Sequence, residues 1–136
     1  MPIASTKKKV IYSDRVPRSS SPHCHGVVAG GLLFVSGIPG FEAGEPKVKQ
    51  GDFAAQMRAC LTNVGYILEE AGCTFADVAK VNVFLDRRAD FQVMNDIYRE
   101  FFGTDPASWP ARTTVEARLP RPDFLLEIEC VALIPD

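Results

Sequence analysis

The stretch DFAAQMRACLTNVGYILEEAG, Asp52 to Gly72, decides the fold. Its apolar positions Phe53, Met57, Cys60, Leu61, Val64, Ile67, Leu68 and Ala71 recur every three or four residues, which predicts an amphipathic helix. Asp52 is a good N-cap and Gly72 a usual stop. Downstream, Ala79, Val81, Val83 and Leu85 alternate with Lys80, Asn82 and Phe84, the period of a strand with one face on a core. A second helix opens at Asp90 and presents Phe91, Met94, Ile97, Tyr98, Phe101 and Phe102 before Gly103 and Pro106 end it. Thr113–Ala117 then reads as a strand, and Leu125–Ile134 as a long one with Glu127 and Glu129 on one face. Upstream, Gly30-Gly31 looks like the turn joining strands His25–Ala29 and Leu32–Ser36, with a weaker strand over Lys8–Tyr12.

The order is therefore β-β-β-α-β-α-β-β: a single α/β (α+β) domain over residues 1–136, with residues 1–9 expected to be a flexible N-terminus. Right-handed crossovers place both helices on one face of a mixed six-stranded sheet. The other face then carries Phe84, one of Leu125 and Leu126, and one of Ile128 and Val131, too apolar for open water. A second copy of the chain, in closed cyclic symmetry, is the simplest cover.

Composition agrees. With 136 residues, 46% hydrophobic and 24% charged, the chain fits one ordinary globular domain. No apolar run approaches the ~20 residues that cross a bilayer, and the lysines at 7–9 have no apolar stretch behind them. The expectation is a cytoplasmic protein with neither membrane nor nucleic-acid partner, since a net charge of −2 offers no field for a phosphate backbone. Cys24, Cys60, Cys73 and Cys130 form no CxxC pair, which points to reduced thiols, with Cys60 and Cys130 as small core residues.

Several motifs, in order, resemble the RidA/YjgF (reactive intermediate deaminase) family from about residue 22 to 133. They are Leu33-Phe34-Val35-Ser36-Gly37, Gln56 with Leu61-Thr62-Asn63-Val64, and Asp77-Val78-Ala79-Lys80-Val81. Asp90-Phe91, Val93-Met94-Asn95 and Tyr98 follow, then Pro110-Ala111-Arg112-Thr113-Thr114-Val115-Glu116, Leu119-Pro120 and Leu126-Glu127-Ile128-Glu129. The resemblance implies a chorismate-mutase-like fold, a homotrimer whose sheets form a central barrel, and ligand clefts between neighbouring chains. It implies hydrolysis of reactive imines and enamines to a carbonyl compound and ammonia, with no cofactor and no metal. By position it makes Arg112 the clamp for a substrate carboxylate and Glu127 the group that places or activates water. Gly37 and Thr114 assist through backbone N–H groups, and Ser36 and Asn95 line or support the cleft.

The residue types suit that chemistry. A guanidinium grips a carboxylate through two parallel N–H bonds, fixing orientation as well as affinity. A carboxylate that takes a proton from attacking water contributes typically ~10²–10⁴-fold. Each residue also has a plainer reading. Arg112 beside Pro110 fits a surface ion pair, and at least one of Glu127 and Glu129 fits a solvated strand face. Ser36 lacks a GxSxG elbow and fits a turn better than a nucleophile. Asn95 fits a satisfied buried amide.

One segment departs from the family pattern. Many deaminating members carry a Gly-Pro-Tyr-Ser-Gln-like run where this chain has Ser21-Pro22-His23-Cys24-His25-Gly26. His23 takes the tyrosine position and His25 the glutamine position. With Arg112–Val115, Pro22-His23 is similar to the branch containing 2-aminomuconate deaminase. His23 fits either a proton donor to the leaving nitrogen or a histidine bonded at a subunit seam. His-x-His on a strand would point both rings to one face, but a zinc site needs a third ligand that the sequence does not supply. An enzyme acting on a small carboxylate-bearing imine is thus weighed against a module that only binds a 2-oxo acid, and against an imine-handling cyclase or isomerase.

Overall fold

A computed structural model describes residues 7–136. Six strands form one sheet: β1 Lys8–Ile11, β2 Gly26–Ala29, β3 Leu32–Pro39, β4 Val78–Leu85, β5 Ala111–Glu116 and β6 Leu126–Leu133. Helices α1 (Phe53–Glu70) and α2 (Phe91–Phe102) complete the domain. The strand order is β1-β2-β3-β6-β4-β5, antiparallel throughout except for the β4–β5 pair that brackets α2. The last strand in sequence lies mid-sheet, so Glu127 sits between β3 and β4 rather than at an edge. Lys8 and Lys9 belong to β1, which narrows the flexible terminus expected over 1–9; residues 1–6 lie outside the described residues.

Local chemistry fixes α1 at both ends. The Asp52 carboxylate accepts from Ala55 N–H at 3.0 Å, a cap that stabilises a helix by about 1 kcal/mol. At the other end Gly72 (φ 73°) lets Cys73 and Gly72 donate back to Leu68 and Glu69, a Schellman closure. The apolar stripe between them packs on β3 and β6, with Met57, Leu61 and Ile67 fully buried against Leu33, Val81 and Ile128. Each such side chain gains roughly 1.5–3 kcal/mol by leaving water. At Gly40, where β3 leaves the sheet, any Cβ would collide with the Gln56 backbone, so only glycine lets this turn dock on α1.

Two β-bulges adjust the sequence reading. An irregularity between Val78 and Lys80 puts Val78 into the core and leaves Ala79 exposed, so the expected alternation starts one residue off. A second, between Val35 and Ile38, holds Ser36 and Gly37; Ser36 stands in a bulged strand, not a turn, and β3 runs on to Pro39.

The sheet's other face carries an apolar stripe with a different roster than expected, beside Lys80, Asn82, Thr113, Glu127 and Glu129. Leu125, Leu126 and Ile128 are buried in the core, whereas Phe34, Phe84, Val115 and Val131 share the face without helices. Phe34 and Val115 are each 44% exposed and Leu133 57% exposed. Among the described residues no helix is long and apolar enough to cross a membrane.

Candidate functional site

Register sorts the candidate residues onto opposite faces of the sheet. Arg112 pairs with Val81 and Thr114 with Val83, both core residues, so both side chains leave β5 on the helix side. Glu127 pairs with Phe84, which pairs with Val115, so the carboxylate lies on the bare side. Two separate cavities result.

The first, about 230 Å³, is lined by Asn95, Tyr98, Arg99, Trp109, Pro110 and Arg112. The half-buried Arg112 guanidinium lies over the Tyr98 ring at 4.8 Å and near Phe91 at 5.8 Å. No ion pair or side-chain hydrogen bond engages it among the described residues, so the surface ion pair anticipated as its plainer role is not formed. Aromatic faces hold a guanidinium without using its N–H groups. Arg112 is thereby oriented with its donors free. Asn95 is half-buried, and its amide meets only Gln92 Oε1 at 3.2 Å, so it is not the fully satisfied buried amide of the alternative reading.

The second cavity, about 640 Å³, gathers His23, His25, Gly37 and Glu127 with residues 16–21 and the aromatic pair Phe41–Phe124. Burial raises the Glu127 carboxyl above its usual range; His23 opposes this and Glu129 adds to it. A Cβ on Gly37 would stand 3.2 Å from Glu127 Oε2, so the glycine gives that oxygen its room. The carboxylate accepts no hydrogen bond among the described residues, which leaves it available to water. His23 is exposed in a loop, its Nδ1 3.3 Å from Cys24 O, and its ring lines the same cavity.

His25 is placed differently from the expected substrate-binding role. It is 3% exposed, its Nδ1 accepts from Ser13 N–H at 3.0 Å, and its Nε2 stands 3.0 Å from Pro17 O. Ser13 N–H can only donate, so the proton sits on Nε2 and bonds Pro17. Both nitrogens are committed, and the ring pins residues 13–17 as a cavity wall. With both nitrogens bonded, the His25 ring offers no lone pair to pair with His23 as a ligand. The Ser36 hydroxyl donates to Cys24 O at 2.6 Å, tying the histidine loop to β3. Ser36 and Thr114 border the cavities without lining them. Cys60, Cys73 and Cys130 are buried free thiols, and burial pushes Cys60 far up.

Sequence reasoning missed several contributors. Gln56, fully buried, donates to Lys49 O (2.9 Å) and Asp123 O (3.1 Å) and accepts from Leu125 N–H (2.9 Å). Asn63 donates to Phe41 O at 3.0 Å. The available signal was polar residues on the apolar stripe of α1. Tyr98 was assigned to the core and also faces Arg112. Trp109 and Arg18 carried no pattern.

A comparison with known proteins bears on this geometry. The family model described as Endoribonuclease L-PSP matches residues 14–134. The chain belongs to this family, the RidA/YjgF proteins. A RutC family protein of Pyrococcus horikoshii is 40% identical over 126 residues, 92% of this chain and 97% of the relative. The 2-iminobutanoate/2-iminopropanoate deaminase of Bos taurus is 32% identical over 132 residues, 96% and 93% of the two chains. The crystal structure of the YjgF gene product of E. coli superposes with a TM-score of 0.83 at 36% identity, covering 92% of this chain and 98% of that one. This family member therefore shares the YjgF fold along nearly its whole length, and none of these relatives is named for the aminomuconate branch.

Proposed function

We propose that the protein hydrolyses small carboxylate-bearing imines, and the enamines that tautomerise to them, at sites completed between copies of the chain in a homotrimer. The carrying observation is the division of labour across the sheet: a free guanidinium on one face and a free, proton-hungry carboxylate on the other. One chain cannot present both to one small molecule. A neighbour seated on the bare face, where Phe34, Val115 and Leu133 stand exposed, can bring its Arg112 to this chain's Glu127. Exposed Phe91 and Trp109 flank Arg112 and give that edge its own apolar contact surface. Closed cyclic assembly repeats the same pairing at every seam.

In such a cleft Arg112 holds the substrate carboxylate and sets the imine carbon over Glu127. Positioning of this kind can account for several kcal/mol of barrier. Glu127 takes a proton from water as the oxygen attacks the iminium carbon, then returns it to nitrogen. The C–N bond then breaks as the tetrahedral intermediate's O–H proton passes to Glu127 and on to the departing ammonia, so that R–C(=NH₂⁺)–COO⁻ plus H₂O becomes R–C(=O)–COO⁻ plus NH₄⁺. A raised carboxyl pKa suits a group that must accept a proton from water and then release it. His23, whose ring lines the same cavity, relays that proton from Glu127 to the leaving nitrogen. The family description names a nuclease, but a net charge of −2 and two compact cavities favour a small anion over a polyanion. The deaminase name of the bovine relative supports the same reading.

The test is ammonia release from freshly generated 2-iminopropanoate and from 2-aminomuconate. Arg112→Ala and Glu127→Gln should each lower kcat/KM by about 10²–10⁴-fold. Mixing the two inactive variants, unfolded and refolded together, should restore about a quarter of wild-type sites, because each site draws its arginine and its glutamate from different chains. No rescue on mixing would end the shared-site reading; turnover untouched by Arg112→Ala would end the clamp.

A further inference from the structure

Four arginines of the described residues rest on aromatic rings: Arg15 on Tyr66, Arg18 on Tyr12, Arg112 on Tyr98 and Phe91, and Arg121 on Phe41 and Phe124. Two of these cations already have a carboxylate within the chain. Arg15 stands 3.8 Å from Glu69, and Arg121 forks onto Asp123 at 2.7 and 3.1 Å. The side chains of Arg112 and Arg18 have neither a carboxylate nor a hydrogen-bond partner among the described residues. Arg112 is the clamp of the reading above. Arg18 is held by the same means, its guanidinium 3.7 Å from the centre of the Tyr12 ring, the closest of these contacts.

Arg18 belongs to the other cavity. It lines the space of about 640 Å³ that also holds Glu127, and Ser19, Ser20 and Ser21 continue the same wall. Tyr12, which carries the cation, packs edge-on at 5.2 Å against His25, and His25 is pinned between Ser13 and Pro17. The platform under Arg18 is thus anchored in the wall, while the arginine itself is exposed. Burial lowers the His25 pKa and the Arg18 charge adds to the lowering, which keeps the cation close to that wall. Arg18 and Glu127 share the cavity without pairing. A ligand whose reacting carbon sits over Glu127 therefore has its side chain left to meet the arginine. A guanidinium steadied with its N–H fork free matches a carboxylate, and Ile38, Pro39 and Phe41 in the same lining suit the methylenes that would lead to it.

We propose that Arg18 is a second anion-binding residue of the site and that the substrate is a dicarboxylic 2-imino acid. Arg112 of one copy takes the carboxylate beside the imine, and Arg18 of the next takes the one on the side chain. The proposal rests on the imine-hydrolysis reading and names its substrate class. Glu127 repels a dianion, and the second guanidinium offsets that repulsion.

The experiment uses the assembled protein and two imines generated in place by amino-acid oxidases. They are 2-iminoglutarate from L-glutamate and 2-iminohexanoate from L-norleucine, whose side chain is uncharged and of similar length. Wild type should favour 2-iminoglutarate by about tenfold in kcat/KM, the size of one charge-assisted pair. Added salt should shrink that preference, because an exposed guanidinium is screened. Arg18→Gln should remove it chiefly through KM, the signature of lost uniform binding. Arg18→Lys should keep part of it, and Arg18→Glu should reverse it. Calorimetry with 2-oxoglutarate and 2-oxohexanoate should rank affinities in the same order.

A preference that survives Arg18→Gln overturns the proposal, as does a wild type that treats both imines alike. So does an Arg18→Gln protein that unfolds earlier and loses both substrates in equal proportion, which makes the Tyr12 stack structural. If wild type accelerates neither imine, the hydrolysis reading has failed and calorimetry decides for Arg18. Tighter binding of 2-oxoglutarate that Arg18→Gln abolishes then upholds the anion site; equal binding of the two acids refutes it.

Discussion

The two cavities are built by different means. Arg112's is made from regular elements, α2 and β5 with the turn between them, and its cation is steadied by ring faces. Glu127's is made mostly from loops, residues 16–21, 39–46 and 120–124, held to the core by buried polar side chains. The first fixes a charge without an opposite charge by using aromatic quadrupoles; the second does so by burial, which raises the carboxyl's affinity for protons. A salt bridge to either group would hold it as firmly and silence it. Keeping both ionisable groups unpaired within the chain leaves each free for a ligand, and the sheet between them prevents them from pairing within one chain.

If that contrast is real, cutting a polar tether should damage one cavity alone. Gln56→Ala strips partners from Leu125 N–H and from the carbonyls of Lys49 and Asp123. Unpairing buried groups costs about 1–3 kcal/mol each, so a loss of at least about 3 kcal/mol is expected, on the order of 10 °C or more in unfolding temperature for a domain of this size. Amide exchange should quicken over 120–127 and stay slow in 112–115. Uniform acceleration along the chain would erase the distinction between a loop-built and an element-built cavity.

A smaller effect is expected where the missing side chain of Gly37 leaves the carboxylate its room. Gly37→Ala would press a methyl against Glu127 Oε2, and a side chain that can rotate will yield before the fold does. If Glu127 acts as proposed, displacing this oxygen by a fraction of an ångström should lower kcat/KM by roughly tenfold, with stability moved by less than about 0.5 kcal/mol. If turnover holds and stability falls instead, Gly37 serves the bulge and not Glu127.

The same contrast governs what could be read from the sequence. Period 3.6 in Asp52–Gly72 and Asp90–Gly103, and period 2 in 79–85, announced α1, α2 and β4 because every turn of those elements repeats one burial decision. The β4 reading slipped at Ala79, since a bulge changes which residue faces inward without changing composition. Arg112 and Glu127 were found by resemblance, and their opposite faces only by register, which depends on β6 entering the middle of the sheet from the far end of the chain. The long-range tethers left still less trace: nothing local to Gln56 reveals that it binds a carbonyl 67 residues away. His25 looked like a ligand because its neighbours in sequence suggested one, while its actual partners, Ser13 and Pro17, come from the preceding loop.

That histidine supplies the weakest and most pointed test. Neutral, it accepts from Ser13 and donates to Pro17; protonated on Nδ1, it would aim a second donor at Ser13 N–H. Burial lowers its pKa from the ordinary 6.5, nearby Arg18 and His23 add to the lowering, the bond to Pro17 opposes it, and the Tyr12 ring packs edge-on at 5.2 Å. Because the unfolded chain takes up the proton first, the histidine's stabilisation is complete above pH 6.5 and drains away as pH falls through the range below. Glu127 works in the opposite sense there: its folded pKa lies above 4.5, so acid relieves the cost of burying it. The raw melting profile mixes the two, and a paired variant separates them. His25→Gln, the residue type that many deaminating relatives place here, keeps an acceptor for Ser13 and does not titrate. Wild type minus His25→Gln should therefore be flat above pH 7 and turn against wild type between about pH 6.5 and 5. A difference that is constant across that range would mean the ring is held by packing alone, and the loop wall of the Glu127 cavity would owe nothing to its protonation state.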